Sequence, residues 1–438
     1  MEKIISTACG KIKGADCGPE NVLAFKGIRY ATAERWAYPE IVTEWDGVYD
    51  ATAYKSCSFQ PRAFYNEEEN LKKAFYYNEF RKGESYTYDE DCLFLNIWTP
   101  EAATDESRLP VLVYIHGGGY TGGCGHEKHF DGPVWAQKGV IAVTVNYRLG
   151  PMGFLCLPEL KDEAGHTGNY GLFDQIAAIK WVRSNISAFG GDPDKITIMG
   201  QSAGAMSVQH LCQTDYTDGL FRSAVMSSGV GMSSFMVSTP EKKYDFWKEV
   251  MGKTGAKSLE EFRRISPELL FKEWKSTKGS AMSAVPVKDG IIIKDKSTAK
   301  AIPYMVGCTS HDMAPAVLYK LTKSWAKKND AYMWLFERAL PGDDKGAWHS
   351  SDLWYWFGTL GNCWRPMEKA DYIISDTMST YLCNFVKNGD PNGDGLTKWD
   401  KCGGSKSVMH FGDGMASQGK VNMKKLIKTT LTNKPVGE

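Results

Sequence analysis

The stretch KITIMGQSAGAMSVQHLC, residues 195–212, constrains the fold more than any other. A run of β-branched and apolar residues ends in Gly200-Gln201-Ser202-Ala203-Gly204, and a helix-forming run follows. GxSxG between a strand and a helix is the pattern of a nucleophile elbow. Glycines at its two ends permit a turn too tight for a Cβ, which lifts the Ser202 hydroxyl above the end of the strand. A serine presented in this way calls for a buried sheet beneath it, so the remaining chain is read for strands and the helices that cover them.

Those elements are present. LPVLVYIHGG (109–118) and GVIAVTVNYR (139–148) are apolar, β-branched runs of strand length. Between the second run and the elbow, Leu172, Ile176, Ile179 and Val182 recur at helical spacing, and Gly190, Gly191 and Pro193 stop the pattern. Buried strands that alternate with helices predict an α/β fold with a mainly parallel sheet covered on both faces. Two stretches rich in Lys, Phe and Trp read instead as amphipathic helices outside the sheet. With no linker of Pro, Gly and Ser, the chain is expected to be one domain, 1–438, with helical cap insertions near 232–285 and 313–340.

Composition excludes several functions. The 438 residues carry 52 Lys and Arg against 52 Asp and Glu, so no net charge favours a nucleic-acid partner. MEKIISTACGKIKG reads as a first strand rather than a secretory signal, and Ser223–Pro240 is too polar to span a membrane. Eleven cysteines with no CxxC argue against a zinc site and against a complete disulfide framework. A reducing, cytoplasmic setting is the simplest expectation.

A serine nucleophile that attacks a carbonyl needs donors for the oxyanion. The N–H of Ala203, next after the serine, is one. HGGGY (116–120) stands at the end of a predicted strand, and its glycines let the backbone approach a substrate closely, which makes Gly118 and Gly119 the other expected donors.

With these stretches in view, the chain resembles the type-B carboxylesterase family, which includes the cholinesterases. The resemblance is carried by EDCLFLNIWTP (90–100), PVLVYIHGGGY (110–120), VNYRLGPMGFL (145–155), residues 168–204, GAWHSSDLWYWFG (346–358) and FVKNGDPN (385–392). It implies the α/β-hydrolase fold and a serine carboxylic-ester hydrolase that works through an acyl-enzyme, on a small-molecule ester, with no metal or organic cofactor. Acyl transfer and amide hydrolysis use the same residues and stay open, as does a non-catalytic binding protein. A monomer and a homodimer are equally compatible with the sequence.

In this fold the triad runs Ser, acid, His along the chain. His349 lies in the segment similar to the family's catalytic-histidine segment, with Ser350 where the family commonly has Gly; His410 is the alternative. The resemblance places the acid at Asp312, shortly after IPYMVG (302–307), where the family usually has Glu; Asp343 and Asp344 are the alternatives. In TSHDM (309–313), then, Asp312 is expected to work while Ser310 and His311 stand by. Three further expectations follow from the resemblance. The short stretch between Asp312 and His349 implies a trimmed cap and a more open gorge. Gln201, where cholinesterases have Glu, weakens the case for a cationic substrate. Cys57 and Cys92 occupy positions of a disulfide in secreted members but are expected to be free.

Overall fold

Along Leu109–Ile115, Val111, Val113 and Ile115 pack into one hydrophobic cluster while Leu112 and Tyr114 pack into another. Side chains alternate across a strand, so two clusters mean two covered faces. The computed structural model describes residues 2–18, 21–70, 74–403 and 407–432. Among these, one sheet of 13 strands organises the chain. Twelve are numbered here: β1 (Glu2–Thr7), β2 (Gly10–Asp16), β3 (Val22–Arg29), β4 (Phe94–Pro100), β5 (Leu109–Ile115), β6 (Ile141–Val145), β7 (Gly191–Gln201), β8 (Ser223–Ser227), β9 (Tyr304–Thr309), β10 (Tyr332–Phe336), β11 (Val408–Gly412) and β12 (Met415–Gly419). Their order is β1-β2-β3-β4-β6-β5-β7-β8-β9-β10-β11-β12, and Val48–Asp50 pairs with β2 off this path. From β6 to β11 every pair is parallel, whereas β1 to β4 and the β11–β12 hairpin add antiparallel edges. This is the mainly parallel, helix-covered sheet of an α/β hydrolase.

Helices Tyr170–Asn185 and Ala203–Leu211 follow β6 and β7, and Lys369–Asn388 follows β10. In Tyr170–Asn185 twelve of sixteen residues are buried, because it is packed by the sheet and by the layer outside it. Between the neighbouring strands β8 and β9 the chain inserts helices Glu241–Lys253, Leu259–Arg264 and Pro267–Ser276. Phe262 packs on Trp36 and Phe271 on Phe64, which ties this insertion to the N-terminal part of the chain.

The second expected insertion, 313–340, is not one. Helix Pro315–Lys328 is the ordinary crossover between the parallel strands β9 and β10, and Tyr332–Phe336 is a fully buried sheet strand. Its amphipathic pattern is that of a helix lying on a sheet with its outer face in water, which sequence periodicity does not separate from a cap helix. Among the described residues no helix is long and apolar enough to cross a membrane. The eleven cysteines are free thiols, Cys57 and Cys92 included.

Candidate active site

Ligand sites in open α/β sheets form beyond the carboxyl ends of the parallel strands, where the loops diverge. Here β5 ends into Gly117–Gly119, β7 into Ser202, β9 into Asp312, and the loop after β10 carries His349. The residues singled out in sequence therefore meet along one edge of the sheet.

Ser202 adopts φ 57°, ψ −124°, a conformation that a non-glycine residue holds only where its surroundings force it. Its N–H donates to Ser227 O of β8 at 2.9 Å, and its carbonyl accepts Met206 N–H at 3.0 Å. A Cβ on Gly204 would collide with the Ile115 carbonyl of β5, so the helix approaches the sheet this closely only with glycine there. Ala203 is buried as the first residue of that helix. In the loop after β5, Gly118 has φ 101° and a Cβ would strike Gly122 O; its carbonyl instead accepts the N–H groups of Thr121 and Gly122 at 3.1 and 3.0 Å. Gly118 and Gly119 line the cavity in front of Ser202.

His349 Nε2 lies 2.9 Å from Ser202 Oγ, and His349 Nδ1 lies 2.7 Å from Asp312 Oδ1. The same carboxylate accepts Met313 N–H at 2.9 Å on Oδ1 and the Thr309 hydroxyl at 2.9 Å on Oδ2. The stretch 309–313 explains how this is built. His311 N–H donates to Ala347 O at 3.0 Å and His311 bridges Trp348 as a parallel pair, so the backbones bearing Asp312 and His349 run side by side. His311 thus contributes its backbone, while its imidazole turns to Ser310 Oγ at 3.1 Å. Trp348 is gripped by Phe75, Tyr76 and Phe80 at ring separations of 5.0, 5.9 and 5.6 Å, which fixes the residue before His349. Ser350 has φ 80°, in the left-handed region that glycine occupies freely, so its departure from glycine carries a local backbone cost.

Electrostatics support a charged acid and an imidazole of raised basicity. Burial works against the charged form of His349, but Asp312 and then Asp352 bring its pKa above the ordinary imidazole value. Burial would push the Asp312 carboxyl up; the charge and hydrogen bond of His349, with Ser228 and the Met313 N–H, leave it below the usual range. Asp352 was not foreseen. It is fully buried and pushed up to about 6, by burial first and Asp312 second, against hydrogen bonds from Ser227 and Trp356. Its Oδ2 accepts the Ser227 hydroxyl at 2.7 Å, while Oδ1 has no partner among the described residues. The signal was legible as an acid three residues past His349 in HSSD. Gln201 Nε2 lies 3.3 Å from His349 Nε2, beside the serine.

The alternatives are placed elsewhere. His410, on β11, is 2.6 Å from Glu337 Oε2. Asp343 accepts Arg365 Nη2 at 2.5 Å and caps the Lys345 N–H at 3.0 Å. Trp354 and Trp356 are wholly buried core residues. Tyr65, Tyr76 and Phe80, from the aromatic stretch 59–88, face a cavity of about 440 Å³. Met313, Leu353, Arg62, Arg81 and Lys275 complete much of its wall. Arg62 pairs with Glu127 at 2.6 Å and Arg81 with Glu67 at 2.7 Å, so the cavity carries no strong net charge.

The model of the carboxylesterase family matches residues 1–330 and 315–430. A para-nitrobenzyl esterase of Bacillus subtilis is 43% identical over 232 residues, which cover 52% of this chain and 44% of that protein. The bile salt-activated lipase of Rattus norvegicus is 30% identical over 481 aligned residues, covering 86% of this chain and 74% of the lipase. The solved structure of an esterase from anaerobic Clostridium hathewayi, described as hydrolysing aliphatic aromatic polyesters, superposes with a TM-score of 0.81 at 26% identity, over 99% of this chain and 98% of that one.

Proposed function

The chain belongs to the carboxylesterase family, and on that premise we propose that it is a carboxylic-ester hydrolase with Ser202 as nucleophile, His349 as base and Asp312 as acid. The reading rests on one observation, the unbroken hydrogen-bond chain Ser202 Oγ–His349–Asp312 on the floor of a cavity. Ser202 Oγ attacks the ester carbonyl as its proton passes to His349 Nε2. Asp312 holds the ring through Nδ1–H and stabilises the imidazolium. The oxyanion is received by the N–H groups of Gly118, Gly119 and Ala203, each worth about 3–4 kcal/mol of barrier. The alcohol departs with the proton from His349, and water then releases the acid by the same route in reverse roles.

The apolar wall of Tyr65, Tyr76, Phe80, Met313 and Leu353 suits an ester with an apolar or aromatic acyl or alcohol part. The insertion 241–276 serves as the cap of a single domain, since its last helix reaches the cavity through Lys275. The free thiols agree with a reducing, cytoplasmic setting. A fluorophosphonate probe tests the core of the reading. The expected result is one adduct on Ser202 with loss of ester turnover; an adduct mapped to another residue overturns it. Matched ester and amide substrates then separate esterase from amidase.

A further inference from the structure

Beside the glycine loop, Cys57, Cys124 and His126 converge. Their ligand atoms, two sulfurs and one imidazole nitrogen, lie within 4.8 Å of one another. We propose that these three side chains form a binding site for a thiophilic metal ion, Zn²⁺ in the first place, which ties the segment at Cys57 to the loop that carries Gly118 and Gly119. The ligands include no member of the triad, so the site is independent of the hydrolase reading.

Four observations carry it. The first is spacing. A tetrahedral zinc, with bonds of about 2.3 Å to sulfur and about 2.1 Å to nitrogen, sets the two atoms about 3.6 Å apart. Cys57 Sγ and His126 Nε2 are 3.6 Å apart.

The second is preorganisation of the backbones on both sides of the two thiols. Gln60 Nε2 donates to Ser58 O and Gly123 O, both at 3.1 Å, and Gln60 Oε1 accepts Gly123 N–H at 2.9 Å. Asn146 Nδ2 donates to Ser56 O at 3.1 Å, and its Oδ1 accepts Gly125 N–H at 2.7 Å. Two amide side chains therefore bind the neighbours of Cys57 to the neighbours of Cys124. The imidazole of His126 is held by stacking on Tyr54 at 4.7 Å and 11°.

The third is charge. Both thiols are buried, and a buried pair of thiolates needs compensation. Zn²⁺ with two thiolates and a neutral imidazole sums to zero, and the adjoining Arg62–Glu127 pair does so separately. Binding releases the thiol protons to solvent. Arg62 Nε and Nη2 are buried with no acceptor among the described residues, so donors of this pair remain unmet.

The fourth is access. His126 is only half-buried, so one of the three ligands is within reach of solvent. Soft sulfur and imidazole donors select zinc over magnesium and calcium.

The test uses the whole chain, fully reduced and stripped with a strong chelator. Zn²⁺ is titrated against a chromophoric competitor. One equivalent is expected to bind, and melting temperature to rise with it. Cys124→Ser and His126→Ala should each weaken binding by at least about a hundredfold, while Cys92→Ser, a buried thiol outside the cluster, should bind like the original chain. With Co²⁺ in place of Zn²⁺, thiolate-to-metal charge-transfer absorption should appear and vanish in Cys57→Ser. If a thiol variant fails to fold, His126→Ala, altered at the half-exposed ligand, decides. Absence of a stoichiometric equivalent in the reduced chain, or unchanged affinity in His126→Ala, overturns the assignment.

Discussion

Two trios of side chains flank the glycine loop 117–123, and they are assembled by different means. Ser202 and Asp312 follow directly on β7 and β9, and His349 is carried on the loop after β10. The parallel pairing of β7, β8, β9 and β10 sets their spacing, and the His311 bridge to Trp348 refines it. Cys57, Cys124 and His126 have no such scaffold. They come from a two-residue strand and a glycine-rich loop, and they are brought together by Gln60 and Asn146. A site built on core strands inherits the rigidity of the sheet, whereas one built on loops depends on a few side-chain hydrogen bonds. The contrast predicts that the two trios respond independently to mutation.

Ser202→Ala provides the largest separation. Turnover of an activated ester should fall by up to about 10⁶-fold, while Zn²⁺ affinity stays as in the original chain. Parallel loss of both would mean that the trios share a fold-level weakness. Next in size is Asp312→Asn, which keeps the shape but gives His349 the wrong partner at Nδ1; a loss approaching about 10⁴ in kcat is expected. Survival of near-normal turnover would move the acid elsewhere, with Asp352 the nearest buried carboxyl to examine.

Asp352→Asn tests a finer part of the first trio. Activity requires neutral His349, so kcat/KM rises with pH through the His349 pKa. Because that pKa is raised, the acid limb of the original chain should lie above the ordinary imidazole value of 6.5. Asp352 contributes to the raise, so its removal should shift the limb to lower pH, with a loss of about 1–2 kcal/mol of barrier stabilisation, roughly five- to thirtyfold. An unmoved limb in the pH profile would reduce Asp352 to a packing role. The smallest effect belongs to His311→Ala. Its contribution to the triad is through its backbone, so turnover should change by about twofold at most, the size of a neutral surface change. A loss comparable to that of Asp312→Asn would show that the imidazole itself takes part.

The stretch TSHDM shows where sequence reading gains and loses its hold. Chain order and the family resemblance pointed to Asp312. Nothing local indicated that His311 would lay its backbone against Ala347 and Trp348, because that pairing joins segments 36 and 37 residues apart. Asp352 was visible as an acid in HSSD, yet its pKa depends on burial, and burial is a property of the packed core. The stretch 313–340 failed for a different reason. An amphipathic helix has the same period whether it lies on a sheet or on a cap, and only the pairing of Tyr332–Phe336 with β9 and β11 distinguishes the two.

The sequence by itself determined the strand–elbow–helix at Ser202, the glycine loop at Gly118 and Gly119, and the alternation that produces a parallel sheet, because these are local patterns of period, turn chemistry and side-chain size. The tertiary structure alone decided which acids are buried beside His349. It also decided that Cys57, 69 positions from His126 along the chain, would stand 3.6 Å from its ring. No local rule encodes such a meeting; it arises when assembly of the sheet brings the loops at its edge into contact.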